Sequence, residues 1–390
     1  MHAHDPTALP GQAGLAIPAL SRLFQRTTNS YKFVFFLALL ELLKRHQFDA
    51  ERPYTYTEIT VEMLSAVWFA HTFFKLSFGT QDTITQKLDA LALDFQASES
   101  LLAREQTALR RAIAGSDLTL ARRLMDFVPY RLQIPFLEPQ LRHVDKGAWM
   151  VFERAMPAIA NRAFEIARPL YRYDSDDWKA CSAIHWHPEW VRYLERHYPI
   201  VHAWASWHWL QYMQRRNPTT PALASKLFAP TKRETLTRQS TYWRTILSAD
   251  NGAISLRCIY SGEPLSAEAF ALDHYLPWSF VAHDQLWNLI PTPPAVNASK
   301  SNHIPSGDHL RELIDLQYDG LRIAKRVFSQ REFARFTEDY IADLNLPTTD
   351  ALLNYGALFE AYARTVEPLV TLAANQGFTP GWAYGANNDR

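Results

Sequence analysis

Apolar residues recur at helical spacing over most of this chain. Phe33, Phe36, Leu37, Leu40 and Leu43 share one face behind the capping cluster Thr27-Thr-Asn-Ser30, which predicts a buried helix. Further helices are expected over 60–74, over 98–113 up to Gly115, over 118–127 up to Pro129, and over 145–166 with Pro157 as an interruption. Beyond Pro305 the spacing returns. Leu310, Leu313, Ile314, Leu321, Ala324 and Phe328 make one face, Phe333, Phe336, Ile341 and Leu344 another, and Asp350 reads as the cap of a third helix through Thr365. Strand-like runs are few: 133–137, 169–173, 270–275 and 286–290. No period of roughly 20 to 50 residues repeats, which disfavours a solenoid. The clearest break is Asn217-Pro-Thr-Thr-Pro221. The pattern therefore predicts a mainly α chain with one embedded α+β module, divided into a helical N-terminal region (1–217), a basic linker or arm (218–250), the module (251–308) and a helical C-terminal region (309–390).

Composition narrows the class. With 47% apolar and 13% aromatic residues in 390, the chain is a packed protein with enough length for two or three cores. Forty basic residues balance forty acidic ones, so any footprint for a polyanion must be local. Two cysteines, Cys181 and Cys258, and the lack of a basic head with an apolar core at the N-terminus lead us to expect a cytoplasmic location. The apolar run 33–43 is too short to cross a membrane. Between His185 and Trp209, five histidines interleave with five tryptophans. No tight histidine pair with a supporting acid stands out there, so aromatic packing is the favoured reading over a metal site, with a base-stacking surface as a minor alternative.

The chemistry concentrates near the embedded module. Asp273 and His274 end one short apolar run, Asn288 lies at the start of the returning run, and Asn297 falls on a short helical segment before Pro305. Asp273 and Asn297 offer the hard oxygen donors that suit magnesium or manganese rather than zinc. On a regular strand Asp273 and His274 would face opposite ways, so one phosphate could engage both only at a bend or a strand end.

The ordered string Asp273-His274, Pro277, Ser279-Phe280, Trp287-Asn288-Leu289, Asn297-x-x-Lys300-Ser301 and Ile304-Pro305 resembles the HNH nucleases, both restriction-type enzymes and the nuclease domain of the RNA-guided CRISPR enzyme. The resemblance covers about 258–306. It implies a ββα-metal fold and a magnesium- or manganese-dependent DNA endonuclease. His274 would be the general base, partly open to solvent, Asp273 and Asn297 metal ligands, Asn288 a brace for the histidine loop, and Lys300 and Ser301 groups near the phosphate. Many relatives also hold a structural zinc on two Cys-x-x-Cys pairs. Here those positions read Cys258-Ile-Tyr-Ser261 and Pro293-Pro-Ala-Val296, so no structural zinc is expected and Tyr260, Leu265, Val296 and Ile304 should hold the knuckle by packing. Upstream, Lys226, Lys232, Arg233, Arg238, Arg244 and Arg257 form a basic run that is either a solvated face or an arm tracking DNA phosphates. A single catalytic set implies a nickase. The helical region ahead of this nuclease type resembles subunits of antiphage defence systems of the Zorya kind, which would add partner subunits. The alternative is a catalytically idle, nucleic-acid-binding or complex-forming subunit, and nothing announces an oligomeric state.

Overall fold

In a computed structural model the described residues are 9–25, 27–95, 103–144, 150–228, 235–250 and 254–385. They form a mainly helical protein with two small sheets, in two compact units, Met1–Pro218 and Thr219–Arg390.

The first unit is built on helices Tyr31–Arg45 and Tyr56–Trp68 and on a three-stranded antiparallel sheet. Its strands are β1 (Tyr54–Thr55), β2 (Tyr171–Tyr173) and β3 (Ala183–Trp186), with β3 central. Thr55 and Glu58 form a reciprocal capping box, so the chain turns from β1 directly into its helix. That helix runs on into a π-helical turn, Phe69–Phe73. Several expectations shift here. Ser30 precedes the first long helix without making a side-chain cap bond. The segment 133–137 is a 3-10 turn, Ile134–Phe136, because Pro135 has no amide to give to a ladder. Pro129 sits in the first turn of Val128–Leu132 and begins a helix instead of stopping one. The expected helices at 98–113 and 145–166 begin, within the described residues, at Ala103 and Val151.

The histidine- and tryptophan-rich stretch forms β3 and the helices Pro188–Arg196 and Tyr198–Arg216. Trp186, Trp190, Trp204 and Trp209 are buried, Trp204 stacked on Phe24 at 5.0 Å and Trp209 on Tyr212 at 5.8 Å. Packing absorbs these rings, and only Trp207 stands half exposed. No cluster of three or more potential metal-ligating His, Cys, Asp or Glu residues occurs among the described residues.

The second unit wraps helices Thr237–Asp250, His309–Val327, Gln330–Asp343 and Tyr355–Asn375 around a two-stranded hairpin, β4 (Ala271–His274) and β5 (Leu289–Thr292). The register pairs Asp273 with Ile290 and His274 with Leu289. All four β5 residues are buried, so polar groups from the helices must meet its backbone. Gln317 Nε2 donates to the Leu286 and Leu289 carbonyls at 3.1 Å, and Tyr340 Oη donates to Gln317 Oε1 at 2.6 Å. Trp243 Nε1 donates to the Leu289 carbonyl at 3.1 Å, and Tyr362 Oη to that of Trp287 at 2.9 Å. Gly320 admits this arrangement, since a Cβ there would come within 3.0 Å of the Trp243 ring. Thr237–Asp250 is thus an inner wall of the core, not the separate arm that its basic residues suggested. Asp350 lies in a 3-10 turn, and Asn354 caps the last helix by accepting from the Ala357 amide at 3.1 Å. No helix among the described residues is long and apolar enough to cross a membrane.

Candidate active site

β4 ends at His274, and the chain then turns through Pro277 into the short helix Trp278–Val281. Asn288 holds that turn. Its Oδ1 accepts from the Leu276 amide at 2.8 Å, its Nδ2 donates to the Leu276 carbonyl at 2.9 Å, and its own carbonyl accepts from Tyr275 at 2.9 Å. With both amide groups used on one backbone unit, Asn288 is a positioning residue that fixes where β4 ends.

His274 is only 6% exposed, so it does not lie open as expected. The loop after Trp278–Val281 closes on it. His274 Nε2 and Asp284 Oδ1 lie 2.8 Å apart, and Gln239 Nε2 donates to the Asp284 carbonyl at 2.7 Å, tying that loop to the helix Thr237–Asp250. If Asp284 accepts from Nε2–H, Nδ1 is the basic nitrogen of the ring, and the carboxylate stabilises the imidazolium formed when that nitrogen takes a proton. Asp284 was not singled out in the sequence: it lies ten residues after His274, outside the ordered string, and only the loop's closure brings it in.

Asp273 faces the other way, as alternation along a strand requires. Its carboxylate is buried, Oδ2 accepting from Tyr260 Oη at 2.9 Å and Oδ1 from Lys300 Nζ at 3.1 Å. Burial pushes the Asp273 carboxyl above the ordinary carboxylate range even though Lys300 and Tyr260 pull it down. Lys300 is fully buried and donates also to the His274 carbonyl at 2.6 Å. It is a bracket between the Asp273 carboxylate and the His274 backbone, closed to solvent. Ser301 is exposed, closing the helix Pro294–Lys300 in a left-handed conformation. Asn297 sits mid-helix, half-buried, its Nδ2 3.5 Å from the Leu272 carbonyl and therefore its amide oriented toward β4.

Asp273 and Asn297 fit a hard divalent cation in donor kind. Among the described residues each Asp273 oxygen accepts one hydrogen bond and keeps a lone pair.

Cys258 is buried, Tyr260, Val296 and Ile304 join it in the core, and Leu265 packs on partly buried, so packing holds the knuckle. Of the basic run, Lys232 and Arg233 lie outside the described residues. Arg238, Arg244 and Arg257 are exposed on the second unit. Arg238 bonds the Arg335 carbonyl and faces Asp339 at 3.9 Å, Arg244 lies over the Phe270 ring at 5.8 Å, and Arg257 bonds the Gly262 carbonyl.

Lys226 behaves differently. Only 1% exposed, it lies 5.2 Å from the Phe280 ring centre, its Nζ has no hydrogen-bond partner among the described residues, and burial depresses its pKa to about 7. Burial, with the charges of His274 and Lys226, lowers His283 to about 4. Because the folded pKa of Lys226 lies below the unfolded 10.5, the penalty is fully present below pH 7 and fades as pH rises toward 10.5. Lys226→Met should therefore raise stability by about 1–4 kcal/mol at pH 7, with the gain shrinking by pH 9. Denaturant melts at the two pH values check this, and a destabilised variant at pH 7 would contradict it.

Residues 258–306 match the family model described as HNH endonuclease. No curated protein and no solved structure matches the chain. That segment, which spans the knuckle, both strands and the following helix, is similar to the HNH endonuclease family.

Proposed function

We propose that this protein is a divalent-metal-dependent DNA endonuclease that nicks one strand per engagement. The observation that carries this reading is the His274–Asp284 pair at 2.8 Å, with the strand end beneath it fixed by Asn288. An imidazole oriented through one nitrogen by a carboxylate is prepared to take a proton from water through the other. Asp273 and Asn297 would hold the cation, which when bound neutralises the charge gathering on the scissile phosphate. Lys300 keeps the Asp273 carboxylate and the His274 backbone at a fixed separation. Exposed Arg238, Arg244 and Arg257 supply sequence-independent attraction for the DNA backbone.

A single base of this kind aligns one in-line attack. Supercoiled plasmid with magnesium or manganese should convert first to the open circle, with linear product late. Linear DNA appearing from the outset would require two sites acting together and would end the nickase reading. Failure to cut with either metal would favour a catalytically idle subunit instead, a reading that draws on the burial of His274 and the pairing of both Asp273 oxygens.

A further inference from the structure

The first unit carries a cavity of about 800 Å³, within the roughly 300–1,000 Å³ of small-molecule sites. It is lined, among the described residues, by four cations, Lys32, Lys87, Arg123 and Arg131, against one carboxylate, Asp126. Arg131 is held by Glu153 at 2.6 Å and lies over the Phe127 ring. Arg123 has no hydrogen-bond or ion-pair partner among the described residues, and Lys87 donates only to Thr83 Oγ1, a neutral group. Like charges converging on a concave surface repel one another unless an anion enters. The pKa values carry that tension: burial, with the Arg123 charge adding to it, lowers Lys87 despite the opposing pull of Asp82 and Asp126, and burial raises Asp126 even beside Arg123 and Lys87.

The cavity also has a flat apolar side. Trp178 lines it half-buried, and no aromatic ring among the described residues stacks on its indole. Tyr31 Oη and Thr83 Oγ1, bonded to each other at 2.7 Å, add hydroxyls to the lining. Cations, hydroxyls and an indole lining one cavity match in kind the three parts of a nucleotide: phosphate, sugar and base. We propose that this cavity binds a nucleoside phosphate, with Arg123 and Lys87 taking the phosphate and Trp178 stacking the base. The site shares no residue with the HNH segment, and the inference stands whether or not the chain cuts DNA.

Calorimetric titration of the full chain with AMP, GMP, CMP, UMP and ATP tests it, with inorganic phosphate and adenosine as the part-ligands. At least one nucleotide should bind saturably and about tenfold or more tighter than either part-ligand. Arg123→Ala and Lys87→Met should each weaken it about tenfold, and Trp178→Ala should remove the advantage over inorganic phosphate. Arg123 is exposed, so its variant should melt like the parent and separate lost binding from lost folding. His274→Ala should leave the affinity intact. The proposal is overturned if no nucleotide saturates up to about 5 mM, if Arg123→Ala binds as tightly as the parent, if inorganic phosphate binds as tightly as the nucleotides, or if His274→Ala abolishes binding.

Discussion

His274→Ala should lower plasmid nicking by roughly a hundred- to ten-thousand-fold, the usual contribution of a positioned general base. It should also melt somewhat earlier, because the substitution removes a charge-assisted hydrogen bond from Asp284 at a nearly buried site, worth about 1.5–3 kcal/mol. Asp284→Asn preserves shape but withdraws the charge that stabilises the imidazolium, so its rate should fall between wild type and His274→Ala. Since Asp284 acts only through the ring, the double variant should be no slower than His274→Ala alone, a non-additivity that two independent contributions would not show. Single-turnover rates at saturating metal provide the measurement. Full activity in His274→Ala would remove the histidine from the mechanism, and additive losses in the double variant would make Asp284 an independent participant.

Lys300→Met, at the end of the helix that follows the hairpin, should be the most destabilising single change in the segment 258–306, at about 3–5 kcal/mol. Lys300 is wholly enclosed, and its ammonium bonds both Asp273 Oδ1 and the His274 carbonyl, so its loss strands a buried carboxylate with only Tyr260 as a partner and leaves a backbone acceptor unmet. Adding Asp273→Asn should recover much of the stability by removing the stranded charge, while leaving the protein inactive. Urea melts of the two single variants and the double variant decide the matter. A Lys300→Met protein as stable as wild type would mean that the pair is dispensable. A double variant no better than Lys300→Met would place the cost in the lost carbonyl bond instead.

The hairpin and its helix were legible because their signals are local. Apolar and β-branched runs around Asp273 and Ile290 mark the strands, and Asn288 and Asn297 fall where the turn and helix need them. Aromatic packing across 185–209 was legible for the same reason, tryptophans at helical spacing having a buried face as their ordinary destination. One predicted boundary failed where proline was read as a stop, since Pro129 begins a helix.

Tertiary structure decided what each charged residue does. Lys300 and Arg238 look alike in the sequence, yet one is sealed between Asp273 and the His274 carbonyl and the other remains on the surface. Asp284 and Gln317 had no sequence signal and Tyr260 was expected only to pack, because their hydrogen bonds depend on which backbone or carboxylate the fold brings within about 3 Å of them. The sequence by itself determined most of the long helices, the hairpin and the order of the Asp273-to-Pro305 string, which depend on residue type and short-range spacing. Only the packed unit determined burial, and with it which acid meets His274, which lysine braces Asp273 and which lysine has no hydrogen-bond partner among the described residues, because the energy of a buried charge is set by neighbours far away along the chain.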